Sequence, residues 1–86
     1  MITGPQMKAA RALLALDQRQ LAELAGLSLP TVQRMESAEG TVRCNVESMM
    51  RVIEAFQQAG VELISEGADS RGQGRGVRLM EPADLP

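Results

Sequence analysis

The sequence predicts a mostly α-helical protein with four helices and a C-terminal β-hairpin. Apolar residues recur at spacings of three and four along residues 4–59, and residues that commonly cap helix N-termini precede these stretches. After Gly60, two short apolar stretches flank a glycine-rich connection, which is typical of paired strands. We therefore expect a helical domain at residues 1–60, a hairpin at 61–80 and a flexible tail at 81–86.

The first two helices have clear start signals. Thr3 is a candidate N-cap followed by Pro5, and good helix formers continue over residues 6–15. Asp17 is a candidate N-cap for a second helix over residues 18–25, and Gly26 provides its end. The apolar residues of the first helix that we expect to face the core are Met7, Ala10, Leu13 and Leu14.

The third and fourth helices follow the same logic. Ser28 is a candidate N-cap for a helix over about residues 29–37, in which Pro30 occupies the first turn. Asn45 is a candidate N-cap for a helix over residues 46–59 that ends at Gly60. Its expected core residues are Val46, Met49, Met50, Ile53 and Phe56, and Met35 of the third helix is also expected in the core.

The predicted hairpin joins residues 61–65 to residues 76–80 across a long connection. The pairing that keeps apolar side chains on one face sets Val61 opposite Leu79, Leu63 opposite Val77 and Glu62 opposite Arg78. An exposed edge of such a hairpin would be available to pair with a second chain.

Composition restricts the classes of function. With 86 residues the chain fits one domain, and its core must be aliphatic because Phe56 is its only aromatic residue. There is no histidine and only one cysteine, Cys44, which argues against a zinc site and against nucleophile pairs that need histidine. We expect no enzymatic activity, no metal and no cofactor.

The sequence also bears on location and charge. It contains no apolar run near the roughly 20 residues that cross a bilayer and no pattern typical of a signal peptide, so we expect a cytoplasmic protein without membrane contact. The net charge is −2, but residues 1–37 carry four basic and three acidic residues, whereas residues 60–86 carry three basic and five acidic ones. The acidity therefore lies mainly in the C-terminal part.

Two short helices joined by a glycine-containing turn, the second with a polar outer face, are typical of a DNA-binding helix-turn-helix. Ala22 supplies the small side chain that a close helix crossing needs, and Gly26 lies in the turn. The apolar seam between the two helices is expected to comprise Leu21, Ala25, Leu27, Val32 and Met35.

Residues 18–36 resemble the helix-turn-helix of the Cro and phage-repressor family, often called the XRE family. The marks of the resemblance are Gln18, Leu21-Ala22, Gly26, Ser28, Thr31-Val32 and Arg34-Met35-Glu36, and the likeness extends over residues 7–59. It implies a four-helix repressor-like DNA-binding domain, to which the predicted hairpin is an addition.

The resemblance also implies roles for single residues. Gln18 matches a position that binds a DNA phosphate, Arg34 one that contacts base or phosphate, and Leu29, Pro30 and Gln33 positions that touch base edges. The hydroxyls of Ser28 and Thr31 are further candidates for phosphate contact. Leu29-Pro30 departs from relatives that read adenine through amide side chains, which leaves more of the discrimination to Gln33, Arg34 and DNA shape.

Each assignment has a plainer alternative. Gln18, Ser28 and Thr31 would serve equally well as capping or solvated residues, and Arg34 as the partner of an acid on its own helix, such as Glu36. The arginines of residues 71–75 fit either a solvated loop or an arm on phosphate. Cys44 precedes a helix N-terminus, where its pKa would fall, but an inert thiol is the simpler reading.

Two hypotheses of function follow. The first is a homodimeric repressor, because one recognition helix covers only a few base pairs, with the hairpin as the dimer contact. The second is an antitoxin-like protein that binds a toxin through its C-terminal part and regulates its own operon.

Overall fold

The computed structural model describes residues 2–80 and contains four α-helices. They are α1 (Gly4–Leu14), α2 (Gln18–Ala25), α3 (Leu29–Glu36) and α4 (Val46–Ala59). All four predicted helices are confirmed, and α2 and α4 have the predicted limits. Helix α1 begins directly after the predicted N-cap Thr3, and α1 and α3 each end one residue earlier than predicted. The predicted tail at 81–86 lies outside the described residues.

Every helix begins at the predicted N-cap. The side chains of Thr3, Asp17, Ser28 and Asn45 each accept a hydrogen bond from the backbone N–H three residues later, at 2.7–3.2 Å. The side chains of Gln6 and Gln20 in turn accept hydrogen bonds from the backbone N–H groups of Thr3 and Asp17. The helix starts are therefore fixed by local hydrogen bonds that the sequence encodes.

The core lies between the four helices, and the predicted seam of α2 and α3 is part of it. Three residues predicted to face the core are instead exposed: Leu13, Val46 and Met50, at 52%, 78% and 48%. In α4 the buried face differs from the predicted one because the small side chains of Ser48 and Ala55 let their side of the helix approach its neighbours. The buried hydrophobic residues are Ile2, Met7, Ala10, Leu21, Ala22, Ala25, Val32, Met35, Val42, Val52, Ala55 and Phe56, with Leu14, Leu27, Met49 and Ile53 packed at the edge.

The predicted hairpin is wrong, because residues 61–80 contain no strand. Glu62, expected opposite Arg78, instead accepts hydrogen bonds from the backbone N–H groups of Arg71 and Gly72 at 2.8–3.1 Å. Arg78 donates to the carbonyl oxygens of Ser65 and Ala68. Glycines at every second position of residues 72–76 lower the strand propensity, and an isolated two-stranded hairpin is at best marginally stable.

The segment that follows α4 lies against the helical core. The N–H of Val61 donates to the carbonyl of Phe56 at 2.8 Å, and Val61 and Leu63 pack at the edge of the core. The side-chain amide of Gln6 in α1 donates to the carbonyl of Ile64 at 3.0 Å. Residues 61–64 are thereby held next to the start of α1.

The N-terminal residues are fastened to the loop between α3 and α4. Thr3 and Thr41 form an antiparallel bridge, in which the N–H of Val42 donates to Ile2 and that of Gly4 to Gly40. A Cβ on Gly4 would overlap the carbonyl oxygen of Ala38 and lie 2.8 Å from that of Glu36. Only glycine permits this approach, so Gly4 helps to place the loop after α3.

Candidate nucleic-acid interface

The turn between α2 and α3 depends on Gly26. Its φ is 68°, in the left-handed region that favours glycine, and its position ends α2. The guanidinium of Arg51 in α4 donates to the carbonyl of Gly26 at 3.2 Å, and a Cβ on Gly26 would lie 2.9 Å from the same guanidinium. The backbone conformation requires glycine here, whereas the guanidinium is the end of a flexible side chain that can move aside.

The predicted seam holds α2 and α3 together. Leu21, Ala25, Val32 and Met35 are at most 6% exposed, and Leu27 in the turn is half-buried against them. Ala22 is buried as predicted for a close helix crossing. The two helices therefore form one packed unit, which presents the opposite face of α3 to solvent.

A polar network centred on Glu36 fixes the end of α3. Glu36 is only 1% exposed, and its carboxylate accepts from the guanidinium of Arg11 in α1 at 2.6 and 2.8 Å. It also accepts from the side-chain amide of Gln18 in α2 at 3.1 Å. The hydrogen bonds to Glu36 raise the pKa of the Arg11 guanidinium above its ordinary value. One carboxylate thus connects three helices.

The contacts of Glu36 decide whether it is the ion-pair partner of Arg34, which was the plainer alternative for Arg34. Glu36 faces the core and is bound by Arg11 and Gln18, so it is not the partner of Arg34. Positions two apart in a helix do not face each other, which explains why Arg34 is exposed while Glu36 is buried. Within residues 2–80, Arg34 forms no ion pair.

The seven predicted contact residues lie in the first turn of α2, at the cap of α3 and along α3, with Arg34 in the last turn of α3. Ser28, Pro30, Gln33 and Arg34 are exposed, whereas Gln18, Leu29 and Thr31 are half-buried. The bond from Gln18 to Glu36 sets the start of α2 beside the last turn of α3. The structure thus brings Gln18 close to the end of α3, and the roles of all seven residues toward DNA stay predictions.

Ser28 and Thr31 also have the structural role that was the plainer alternative. Ser28 accepts from the N–H of Thr31 at 3.2 Å, and the two hydroxyl oxygens lie 2.8 Å apart. Capping is thus a role that Ser28 plays in the free protein. Since a hydroxyl has one donor and two acceptor positions, this contact leaves capacity for a further partner.

Comparison with protein families decides the class of this domain. A family model described as Helix-turn-helix matches residues 7–57, which is more than half of the chain. The chain belongs to this helix-turn-helix family, of the Cro and phage-repressor (XRE) type. Comparisons with curated proteins and with solved structures give no match.

Membership in the XRE-type family makes the protein a DNA-binding transcription regulator. The match ends within α4, so it does not extend over residues 58–86. Within residues 2–80, no helix has the length and apolar character to cross a membrane, and no group of three or more acidic or cysteine side chains is placed to hold a metal ion.

One basic residue, Arg43, lies close to the predicted contact residues of the XRE-type domain, which sequence reasoning did not predict. Arg43 is exposed, and it lines an open depression of about 620 Å³ together with Arg34 and the loop after α3. Glu39 is the acidic residue among the lining side chains. The sequence shows Arg43 only as a cation before the cap of α4, and its proximity to Arg34 depends on the path of the loop.

Proposed function

We propose that this protein is a homodimeric repressor that reads a two-fold DNA site through α3. The observation that carries the proposal is the division of α3 into two faces. Val32, Met35 and Glu36 are buried against the other helices, while Gln33 and Arg34 are exposed and free of ion pairs within residues 2–80. A helix with one anchored face and one polar outer face suits insertion into the major groove.

Gln33 and Arg34 carry base recognition in this proposal. Arginine pairs with guanine and glutamine with adenine through two hydrogen bonds each, so both side chains have the donors that base edges require. Leu29 and Pro30 offer apolar surface to thymine methyl groups. The neighbouring hydroxyls of Ser28 and Thr31 contact phosphate at the start of the helix.

Gln18 and Arg43 position the helix on the backbone. The side-chain amide of Gln18 uses one N–H on Glu36 and retains the second for a phosphate oxygen. Arg43 lines the same depression as Arg34 and neutralises a phosphate beyond the end of α3. Such contacts supply affinity without sequence preference.

Dimerisation supplies the rest of the affinity. The basic and acidic residues of the chain nearly balance, and one recognition helix contacts only a few base pairs. Two copies bound to half-sites about 34 Å apart would double both the phosphate contacts and the base contacts.

The test is binding of labelled DNA from the upstream region of the gene at several salt concentrations. A Gln33→Ala/Arg34→Ala variant is compared with Gln58→Ala/Arg75→Ala, which removes the same residue types from exposed positions outside α2 and α3. We expect wild type and this control variant to prefer the site over random duplex, and the α3 variant to lose that preference. Equal selectivity of both variants would contradict the assignment of α3.

An antitoxin-like role is the second candidate. It is favoured by the exposed apolar side chains of Val77, Leu79 and Met80, which suit a protein partner. The discriminating experiment is co-expression with the product of a co-transcribed neighbouring gene. A stable complex that relieves growth inhibition by that product supports the antitoxin role, and the absence of any complex supports the simple repressor.

A further inference from the structure

We propose that residues 76–80 of one copy bind in the groove between α4 and residues 60–71 of a second copy, and that this reciprocal exchange forms the dimer. The inference rests on the proposed homodimeric function and specifies its contact surface. It replaces the predicted hairpin, which the structure does not contain.

The groove has the surface of a site for an extended chain. It is open, encloses about 530 Å³, and has Ile53, Val61, Leu63 and Ile64 along its apolar part. Glu62 and Asp69 add carboxylates to its lining, and Arg71 adds a guanidinium. Within the described residues, the backbone N–H groups of residues 62–64 form no backbone–backbone hydrogen bond.

Residues 76–80 have matching properties. Val77, Leu79 and Met80 are 76%, 94% and 58% exposed, a dense apolar group for a surface segment. The N–H groups of this segment also form no backbone–backbone hydrogen bond with described residues. Its side chains and its backbone are therefore both available to a second chain.

The two surfaces carry opposite charge. The groove residues 60–71 contain three acidic residues and one arginine, whereas residues 76–80 contain one arginine and no acid. Hydrogen bonds from the backbone of Arg71 and Gly72 lower the pKa of Glu62, so its carboxylate is ionised at neutral pH. This complementarity favours a second copy of the chain over an unrelated protein as the occupant.

The contact made by Arg78 explains why a chain does not fill its own groove. Arg78 donates to the carbonyl oxygens of Ser65 and Ala68, which both line the groove. In an extended segment, neighbouring side chains point to opposite sides, so Val77 and Leu79 face away when Arg78 faces the rim. A specific interface needs roughly 1,000 Å² of buried surface. When each copy places its residues 76–80 in the groove of the other, two contacts form and the buried area rises toward this value. The arrangement also satisfies two-fold symmetry.

The experiment measures molar mass by light scattering and sedimentation for the full chain without DNA. Val77→Asp is compared with Val46→Asp, because the two valines are 76% and 78% exposed and Val46 lies at the start of α4, far along the helix from the groove. We expect wild type and Val46→Asp to be dimeric and Val77→Asp to be monomeric, with a dissociation constant raised at least tenfold. Unchanged helical circular dichroism shows that both variants are folded.

Two results would overturn the inference. A dimeric Val77→Asp variant rules out this surface but leaves the homodimeric regulator in place. A wild-type chain that stays monomeric at high concentration rules out both the surface and self-association in solution. Neither result bears on recognition by α3, since the selectivity of the Gln33→Ala/Arg34→Ala variant is measured separately.

Discussion

The guanidinium of Arg11 and the carboxylate of Glu36 form a two-point ion pair that joins α1 to the last turn of α3, at 2.6 and 2.8 Å. The Glu36 side chain is 1% exposed and that of Arg11 is 19% exposed. Removing one member of such a pair strongly destabilises the folded protein, because the other charge remains buried without compensation.

Replacing Arg11 by methionine should therefore lower the free energy of unfolding by about 3 kcal/mol or more. Urea denaturation followed by circular dichroism measures the change. The control is Glu47→Gln, which removes the charge of an exposed carboxylate paired with Arg51 at 2.9 Å and should cost about 1 kcal/mol or less. Equal losses in the two variants would show that burial of Glu36 carries no special cost.

The contact of Gly4 with the loop after α3 gives a second prediction. Gly4→Ala forces the backbone at Ala38 to move and should cost about 1–3 kcal/mol of stability. Gly40→Ala is the matched control, because no atom lies within 4 Å of a Cβ at that position. Thermal denaturation of both variants tests this, and a Gly4→Ala protein as stable as Gly40→Ala would refute the close approach.

The position of Arg43 predicts a change in salt dependence. Arg43→Ala should weaken binding to specific and random duplex by a similar factor and reduce the slope of log affinity against log salt by about 1. Fluorescence anisotropy at several salt concentrations measures both. The control Arg75→Ala removes one cation from an exposed position outside the four helices. If the slope for Arg43→Ala equals that of wild type, Arg43 does not contact phosphate.

Glu62 gives a prediction for acid pH. The Glu62 carboxylate accepts hydrogen bonds from the backbone N–H groups of Arg71 and Gly72 and from the hydroxyl of Ser70. These bonds, that from Arg71 most of all, lower the pKa of Glu62 below its ordinary value. Because the pKa is lowered, these hydrogen bonds stabilise the turn fully at pH values above the ordinary pKa of a glutamate. The stabilisation is lost as the pH falls through the lowered pKa of Glu62. Amide proton shifts of Arg71 and Gly72 should therefore titrate with a midpoint below the ordinary pKa of a glutamate. In Glu62→Gln this titration should be absent, and its persistence would assign the effect to another group.

The helices were predictable because their signals are local. Asp17 and Asn45 cap α2 and α4 through the backbone three residues later, and Gly26 and Gly60 end these helices in left-handed conformations. Each of these features depends on a few consecutive residues, so the sequence alone defined both helices to the residue.

What sequence reasoning missed depends on contacts between distant residues. The alternation of residues 61–65 and 76–80 fits a hairpin, but it does not show that Glu62 would bind the N–H groups of Arg71 and Gly72. The spacing of Met49 and Met50 does not show which would face the core, and Met50 is exposed. The location of Arg43 beside Arg34 likewise follows from the loop, which the bridge of Thr3 with Thr41 holds in place.

That bridge has a consequence for hydrogen exchange. Amides in the first turn of a helix usually exchange rapidly, because helix ends fray without unfolding the rest of the domain. The N–H groups of Gly4 and Val42 donate instead to Gly40 and Ile2, and Ile2 and Val42 are buried. Slow exchange at Gly4 would therefore track opening of the entire helical domain, which makes the first amide of α1 a reporter of global stability.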